Sequence, residues 1–557
     1  METNTLIEFF YKLELEKADQ PYLHQPFGDT WETYTYREAG QMARKLARAL
    51  LSKGLPQRSH IGLVSKNCRE WVIADLAIGM AGFVSVPFFP TLTGSQISEV
   101  LRLGDVALLI VGKTEVWDDM GQGVPSDMPI IKFPHYENCS IIERGEAWND
   151  IMNSYPALEG NPSPSLDDLW TIVFTSGTTG TPKGVMLNYS APFNLLKETE
   201  EYNALELSKT GGNRYFSFLP LNHIAERAIV ENGCLAYGGE MFFTESLESF
   251  AKNLAHAKPT VFFAVPRIWT KLMLGVLKKI PQAQLEVVLQ DPQMAPVIKA
   301  KLAAGLGLQN SRCNVSGAAP IPQSTKEWFA SIGIPISEGY GMTENCAACT
   351  FMKISESKAG SVGRAQNGVQ LMLAPESNEI LMKASFNMEG YYKSPEQTAK
   401  TIVDGWLHTG DQGRIDEDGY LFITGRVKDT FKTAKGEFIV PAKIEEHFSA
   451  NSDIEQLCLL GLGLPQPVLI AVLSEIGMAK SKDAVSESIA ATMQSANSIL
   501  PNYQRVATTI IAKNPFSIES DTLTPTLKVK RNQLHNLYKD RLLEYCNLEE
   551  HIIWELT

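Results

Sequence analysis

Two hydrophobic rhythms alternate along the first part of the chain. Thr35-Tyr36-Arg37-Glu38 opens a helical pattern that continues through Ala43, Leu46 and Leu50, and a second helical pattern runs from Trp71 to Met80. Between and after them lie short apolar runs, Ile61-Gly62-Leu63-Val64-Ser65, Val84-Ser85-Val86-Pro87 and Leu108-Leu109-Ile110-Val111, which predict buried strands. Such alternation predicts a parallel, layered α/β sheet. Leu169-Trp170-Thr171-Ile172-Val173-Phe174 predicts another buried strand, reached through the loop Asn161-Pro162-Ser163-Pro164-Ser165. Towards the end, a helix from Lys443, a hairpin of Gln456–Gly461 and Val468–Ser474, and an amphipathic helix over Ser486–Ile499 predict a small α+β domain.

The strand at 169–174 feeds the string Thr175-Ser176-Gly177-Thr178-Thr179-Gly180-Thr181-Pro182-Lys183-Gly184. Glycine lets backbone approach a ligand closely, hydroxyls and N–H groups donate to phosphate oxygens, and Lys183 adds charge. The spacing differs from G-x-x-x-x-G-K-[ST], because Lys183 follows Gly180 by three and precedes Gly184. Further on, Glu338-Gly339-Tyr340-Gly341-Met342-Thr343-Glu344 combines an aromatic face for a base, a hydroxyl, and a hard oxygen ligand for Mg²⁺. In His408-Thr409-Gly410-Asp411, Asp411 can accept both hydroxyls of a ribose and Gly410 leaves room for the sugar.

Composition narrows the field. The 557 residues carry a net charge of −13, which makes general nucleic-acid binding a poor expectation, so anions must be held by local groups. Eight scattered cysteines fit a reducing compartment; the one close pair, Cys346-Ala-Ala-Cys349, lacks a second metal-binding pair and reads as small pocket-lining side chains. No apolar h-region stands at the N-terminus and no run of about 18 uncharged apolar residues occurs. The expectation is a cytoplasmic protein without a transmembrane segment, with peripheral contact at the inner membrane face and oligomeric state left open.

These strings, in this order, resemble the adenylate-forming (AMP-binding) superfamily, and among its members the long-chain and very-long-chain fatty acyl-CoA synthetases. The resemblance implies an α/β fold: a large multi-subdomain N-terminal domain of layered α/β sheets over 1–425, and a small mobile α+β C-terminal domain over 426–557. It implies ATP, Mg²⁺ and coenzyme A as substrates and activating ion, with fatty acid as acyl donor. Nucleotide binding would fall to Thr175, Ser176, Gly177, Thr178, Thr179, Gly180 and Lys183, to Ser316, Gly317 and Ala318 of Ser316-Gly317-Ala318-Ala319-Pro320, to Gly339, Tyr340, Gly341 and Met342, and to Asp411 and Arg426. Thr343 and Glu344 would be catalytic, with Glu344 the metal ligand.

Pro220-Leu221-Asn222-His223-Ile224-Ala225-Glu226-Arg227 is similar to the family's histidine motif in its long-chain form, which puts His223 at the carboxylate end of the acyl pocket. No aspartate stands between Phe216 and Gly233, which disfavours an amino-acid substrate. Val265-Pro266-Arg267-Ile268-Trp269 also looks like the long-chain group, and reads equally as a strand end with a packing tryptophan. Lys428 matches the hinge, Lys435 and Gly436 the loop that lines the thiol channel, and Lys528 the catalytic lysine. In Leu523-Thr524-Pro525-Thr526-Leu527-Lys528-Val529-Lys530-Arg531, Leu527 stands where the family pattern has glycine, so Lys530 is the rival for the reaching residue. The resemblance implies fatty acid activation to an acyl adenylate, then a thioester with CoA. Transfer to a carrier-protein phosphopantetheine, an aryl or bile-acid-type ligase, and an impaired nucleotide- or lipid-binding homologue are the alternatives.

Overall fold

The computed structural model describes residues 5–175, 182–209, 211–426, 430–524, 527–548 and 550–555. Two large sheets form the body of the molecule. The first has eight strands in the order Gly390–Tyr391, Lys183–Asn188, Leu169–Thr175, Val84–Phe88, His60–Val64, Val106–Val111, Ile130–Lys132, Glu146–Ala147. All its pairings are parallel except the two that involve Lys183–Asn188. The second has seven strands, Ser337–Glu338, Cys313–Ser316, Val261–Ala264, Arg214–Ser217, Glu240–Phe243, Pro21–Phe27 and Thr30–Thr35, with only the last one antiparallel. The predicted helices and strands of the first 115 residues are all present.

Local chemistry accounts for the helix starts. Thr35 caps helix Tyr36–Ser52 through a reciprocal bond with Glu38, and Thr93 does the same with Gln96 for helix Gly94–Leu103. Helix Arg69–Met80 is buried on nearly every side, which suits an element between two sheets. Its Trp71 is among the largest fully enclosed side chains of one continuous core that draws on both large sheets.

A smaller antiparallel sheet of Gln370–Leu373, Glu379–Lys383, Trp406–Ile415, Ile402–Val403 and Leu421–Arg426 follows. Beyond it, the chain forms a small α+β body around the sheet Ile454–Leu460, Val468–Leu473, Thr508–Ile511, Ile552–Trp554, with separate apolar cores. The predicted hairpin at 456–474 is there, and the amphipathic helix starts earlier than its pattern indicated, at Lys482, because Ser481 caps it.

Helix Pro266–Leu277 of the large body meets the small one. Arg267 and Lys271 both lie 3.7 Å from Glu455, and Lys278 pairs with Glu475. In the same segment Trp269 is fully buried and donates from its indole nitrogen to the Val315 carbonyl at 3.3 Å. The arginine of this motif therefore faces the small body, and the tryptophan packs.

Arg227 is the most enclosed cation among the described residues. Its guanidinium is fully buried, pairs with Asp75 at 2.5 Å and Glu231 at 2.9 Å, and donates to Thr171 Oγ1 at 3.0 Å. It also lies over the rings of Trp170 and Trp71. Arg227→Met would leave two carboxylates without their cation. The expected cost is about 3–5 kcal/mol, read as a clear fall in the denaturation midpoint; an unchanged midpoint would show that this cation ties nothing together.

Candidate active site

Thr175 and Lys183 end up as direct cross-strand partners, with Phe174 opposite Gly184. Lys183 is thus placed by strand register rather than by a free loop. Ser176, Gly177, Thr178, Thr179 and Gly180 lie outside the described residues, as does Lys428. The Lys183 ammonium stands 5.1 Å from the centre of the Tyr391 ring, and the Tyr391 hydroxyl donates to Glu344 Oε1 at 2.7 Å. Burial pushes the Glu344 carboxyl above its ordinary range, against the pull of Tyr391 and Lys183. A buried carboxylate with this bias gains from a cation. Mg²⁺ suits the position, since it takes one or two carboxylates and shares the rest of its shell between phosphates and water. No cluster of three metal-ligating side chains occurs among the described residues.

Backbone packs tightly beside Glu344. Gly339 N–H donates to the Ser316 carbonyl at 2.9 Å, and Tyr340 and Thr350 bond reciprocally at 3.0 Å. A Cβ on Gly317 would meet the Gly339 carbonyl at 3.3 Å, and one on Gly341 would meet the Ala347 carbonyl oxygen at 2.2 Å. Ala318, Cys346 and Ala347 all hold positive φ. Cys346 and Cys349 are buried thiols, consistent with small side chains under a close-packed wall.

Asp411 accepts from the Tyr340 hydroxyl at 2.8 Å and from Arg426 Nε at 2.9 Å, one bond to each oxygen. Each oxygen keeps a lone pair for a further donor. Upstream, Glu379 accepts from the Gly410 N–H at 2.8 Å and from His408 at 3.0 Å, which fixes the turn before Asp411. A Cβ on Gly410 would meet nothing within 4 Å, so the space beside it is open.

His223 caps a short helix that continues as a π-helical turn over Arg227–Glu231. Its Nδ1 accepts from the Ala225 N–H at 3.3 Å, which leaves Nε2 to carry the proton. Burial, reinforced by the Lys528 ammonium, pulls its pKa down to about 3, so the ring is neutral and can donate one hydrogen bond. Its loop is held from two directions. Asn67 donates to Ser217 Oγ and the Leu219 carbonyl, and accepts from Leu221 N–H. Glu226 accepts from Phe218 N–H at 3.1 Å, and burial holds its carboxyl well above the usual range.

Lys528 comes from the small body. It sits on a hairpin in which Thr524 N–H donates to the Lys528 carbonyl at 2.8 Å and Lys530 N–H to the Thr522 carbonyl at 2.9 Å. Burial and the nearby Arg426 cation bring its pKa down to about 8, with Asp411 opposing. Lys530 pairs with Asp521 instead.

His223, Thr175, Lys183, Ser316, Gly317, Ala318, Gly339, Tyr340, Gly341, Met342, Thr343, Glu344, Asp411, Arg426 and Lys528 all line one cleft of about 1180 Å³. That exceeds the roughly 300–1,000 Å³ of a single small-molecule pocket. Its walls also include the apolar Leu195, Leu205, Leu207, Ile224, Ile229 and Val265. Lys435 and Gly436 lie elsewhere, in an exposed turn closed by the bond from Gly436 N–H to the Thr433 carbonyl. The sequence reading passed over Tyr391, Asn67, Glu379 and the Arg227 network.

The model of the AMP-binding enzyme family matches residues 14–392, and that of the AMP-binding enzyme C-terminal domain matches residues 428–547. The chain belongs to the AMP-binding enzyme family. Similar proteins include long-chain-fatty-acid–CoA ligase 5 of Mus musculus, 29% identical over 601 residues, spanning 97% of this chain and 86% of that one. Long chain acyl-CoA synthetase 2 of Arabidopsis thaliana is 28% identical over 579 residues, spanning 92% and 86%. Among solved structures, the A domain of the carboxylic acid reductase from Segniliparus rugosus, with AMP and a co-purified carboxylic acid, has a TM-score of 0.80 at 21% identity, covering 97% of this chain and 94% of that one. The anthranilate CoA ligase AuaEII with anthranoyl-AMP has a TM-score of 0.79 at 20% identity, covering 96% and 97%. The last two establish a shared fold, that of adenylate-forming enzymes with a large N-terminal and a smaller C-terminal domain.

Gly341→Ala is expected to weaken nucleotide binding by about tenfold or more, because a 1 Å displacement of the 341–347 backbone disturbs a site this tightly set. Calorimetric titration with AMP checks this; unaltered affinity would mean that the wall does not touch the nucleotide.

Proposed function

We propose that this AMP-binding enzyme activates a long-chain fatty acid with ATP and passes the acyl group to coenzyme A, releasing AMP and pyrophosphate. The observation that carries the reading is the single cleft, in which nucleotide-type groups and an apolar wall share one space with Lys528 and His223. The names of the similar proteins support the same chemistry at low identity.

A carboxylate cannot expel oxide, so it first attacks the α-phosphate of ATP and pyrophosphate leaves. Two anions must meet, and catalysis is chiefly positioning and charge neutralisation. In this proposal Lys183 and the glycine-rich segment hold the phosphates, Asp411 and Arg426 the ribose, and the 316–318 and 339–342 wall the adenine. Mg²⁺ bound at Glu344 would neutralise phosphate charge. Neutral His223 donates from Nε2 to the fatty acid carboxylate, and the Lys528 ammonium sits between carboxylate and α-phosphate. Thr343 bonds the phosphate or acyl oxygen.

In the second step a thiolate attacks the acyl carbon and AMP departs. Lys528 blocks that approach, so the C-terminal domain, from residue 426 onward, turns about Lys428 and brings Lys435 and Gly436 to the cleft. Lys528 lines the cleft while residues 434–437 are exposed, which supports reading the present arrangement as that of the first step.

Fatty-acid-dependent exchange of labelled pyrophosphate into ATP tests the first half-reaction, and comparing CoA with a holo carrier protein tests the acceptor. Lys528→Ala is expected to abolish exchange yet spare thioester formation from supplied acyl adenylate; equal loss of both would remove Lys528 from its role. Gly436→Trp is expected to do the reverse, and normal thioester output from it would put the thiol channel elsewhere.

The lowered Lys528 pKa has a kinetic sign. The cation is the working form, so kcat/KM for exchange should fall as pH rises through about 8. In Lys528→Arg that alkaline limb should vanish, whatever rate remains. A limb unchanged in position would belong to another group.

A further inference from the structure

Leu527 holds φ of +62°, in the left-handed region. The other non-glycine residues with positive φ among the described residues are polar, charged, alanine or cysteine, so Leu527 is the one bulky aliphatic side chain held there. Its N–H donates to the Thr524 carbonyl at 2.8 Å, Lys528 N–H donates to Thr524 Oγ1 at 3.0 Å, and Leu523 bridges Val529. These bonds tie Leu523 and Thr524 to Leu527, Lys528 and Val529, with Leu527 held in a left-handed conformation that glycine adopts without strain. A leucine here needs a reason.

Its side chain provides one. Half-buried, it packs at once against the large core of the N-terminal body and against the small body's core around Cys458, Leu460 and Leu534. The next residue carries the ammonium that lines the cleft. A γ-branched side chain projecting from a left-handed turn therefore sits between two bodies, one residue from the group that must be placed.

We propose that Leu527 is a positioning residue for Lys528: an apolar wedge that seats the small body on the large one in the adenylating arrangement and fixes the lysine in the cleft. The inference rests on the two-step reading above. When the small body turns away, the backbone strain stays within the hairpin and the contact with the large core is lost. The wedge thus favours the first arrangement over the second, and a side chain without that contact would release the balance.

Leu527→Ala keeps the left-handed strain and removes the contact; Leu527→Gly removes both; Leu527→Met restores bulk. Pyrophosphate exchange at saturating substrates is expected to fall about tenfold or more in the alanine and glycine variants. Thioester formation from supplied acyl adenylate should hold or rise, and methionine should bring exchange back to within about twofold. Equal loss in both half-reactions, no loss in either, or loss of the thioester step alone would overturn the proposal.

A second measurement does not depend on turnover. Spin labels on cysteines placed at exposed Leu247 and Ile499, with Cys139 and Cys546 changed to serine, report the distance between the two bodies. Without ligand, Leu527→Ala should broaden or displace the distribution seen with leucine, and an identical distribution would overturn the wedge. If the unmodified protein shows no exchange at all, the two-step reading fails, and the distance measurement still decides whether Leu527 seats the domain.

Discussion

The guanidinium of Arg227 is the constraint on which the site depends. It lies four residues after His223, and its hydroxyl partner Thr171 lies four residues before Thr175. Its anionic partners come from the central helix and its own π-helical turn, and Asp75 also accepts from Ser85 on the neighbouring strand at 2.6 Å. One cation thereby ties the strand Leu169–Thr175 to the turn that carries His223. Burying an ion costs several kcal/mol, and only a complete set of partners offsets it. Here two carboxylates, a hydroxyl and two indole faces complete the set, so the geometry has little freedom to drift. The π-helical turn fits the same demand: it widens the helix at the residue whose side chain must reach back across the core.

The wall that we propose faces the nucleotide meets a different demand. At Gly317, Gly339 and Gly341 backbone packs closely on backbone, so side chains are absent at those three positions. Gly341 can approach the Ala347 carbonyl only because it lacks a Cβ, and Cys346 and Ala347 take left-handed φ in succession to present that carbonyl. Each such non-glycine residue costs of order 1–3 kcal/mol. Asn345 holds the segment in place, accepting from Met342 N–H and donating to the Ala348 carbonyl, each at 2.8 Å. The pattern Cys346-Ala-Ala-Cys349 follows from this: the positions want small side chains, and two of them are thiols for size rather than for chemistry.

Much of the fold was legible because it is written in local rhythm. The strands at 60–64, 84–88 and 106–111 are apolar runs bounded by turns, and Thr35 with Glu38 announces a helix in four residues. Part of the cleft's lining was legible as strings, since Glu338–Glu344 and His408–Asp411 each gather distinct chemical groups in a few positions, and both line it. Register was not legible. That Lys183 opposes Thr175 depends on an antiparallel pairing that no single segment encodes. Long-range partners were equally hidden: Tyr391 stands 47 residues from the carboxylate it bonds, and Asn67 reaches a loop about 150 residues away. Arg227 read as part of a motif, while its partners Asp75 and Thr171 carried no pattern of their own. Leu527 is the instructive case. The string marked it as a departure at a glycine position, but only the dihedral angle and the two cores it touches show that the departure has a structural use.

Under the proposed function, the same cleft explains how an acidic protein would handle anions. Net charge of −13 repels phosphates at long range, so attraction must come from a few cations held where water is scarce and their fields are strong. Lys528 is buried in the cleft while Arg426 stays about half exposed, and burial together with repulsion from that cation makes the lysine's proton easier to lose. In the proposed reaction a triphosphate and a carboxylate entering this space reverse both penalties, since each anion stabilises the ammonium. Seating the small body is therefore favoured when substrates are present, and unfavourable charge is what remains when pyrophosphate leaves. An apolar contact such as that of Leu527 supplies a constant bias, while the charge on Lys528 makes the balance answer to what the cleft contains.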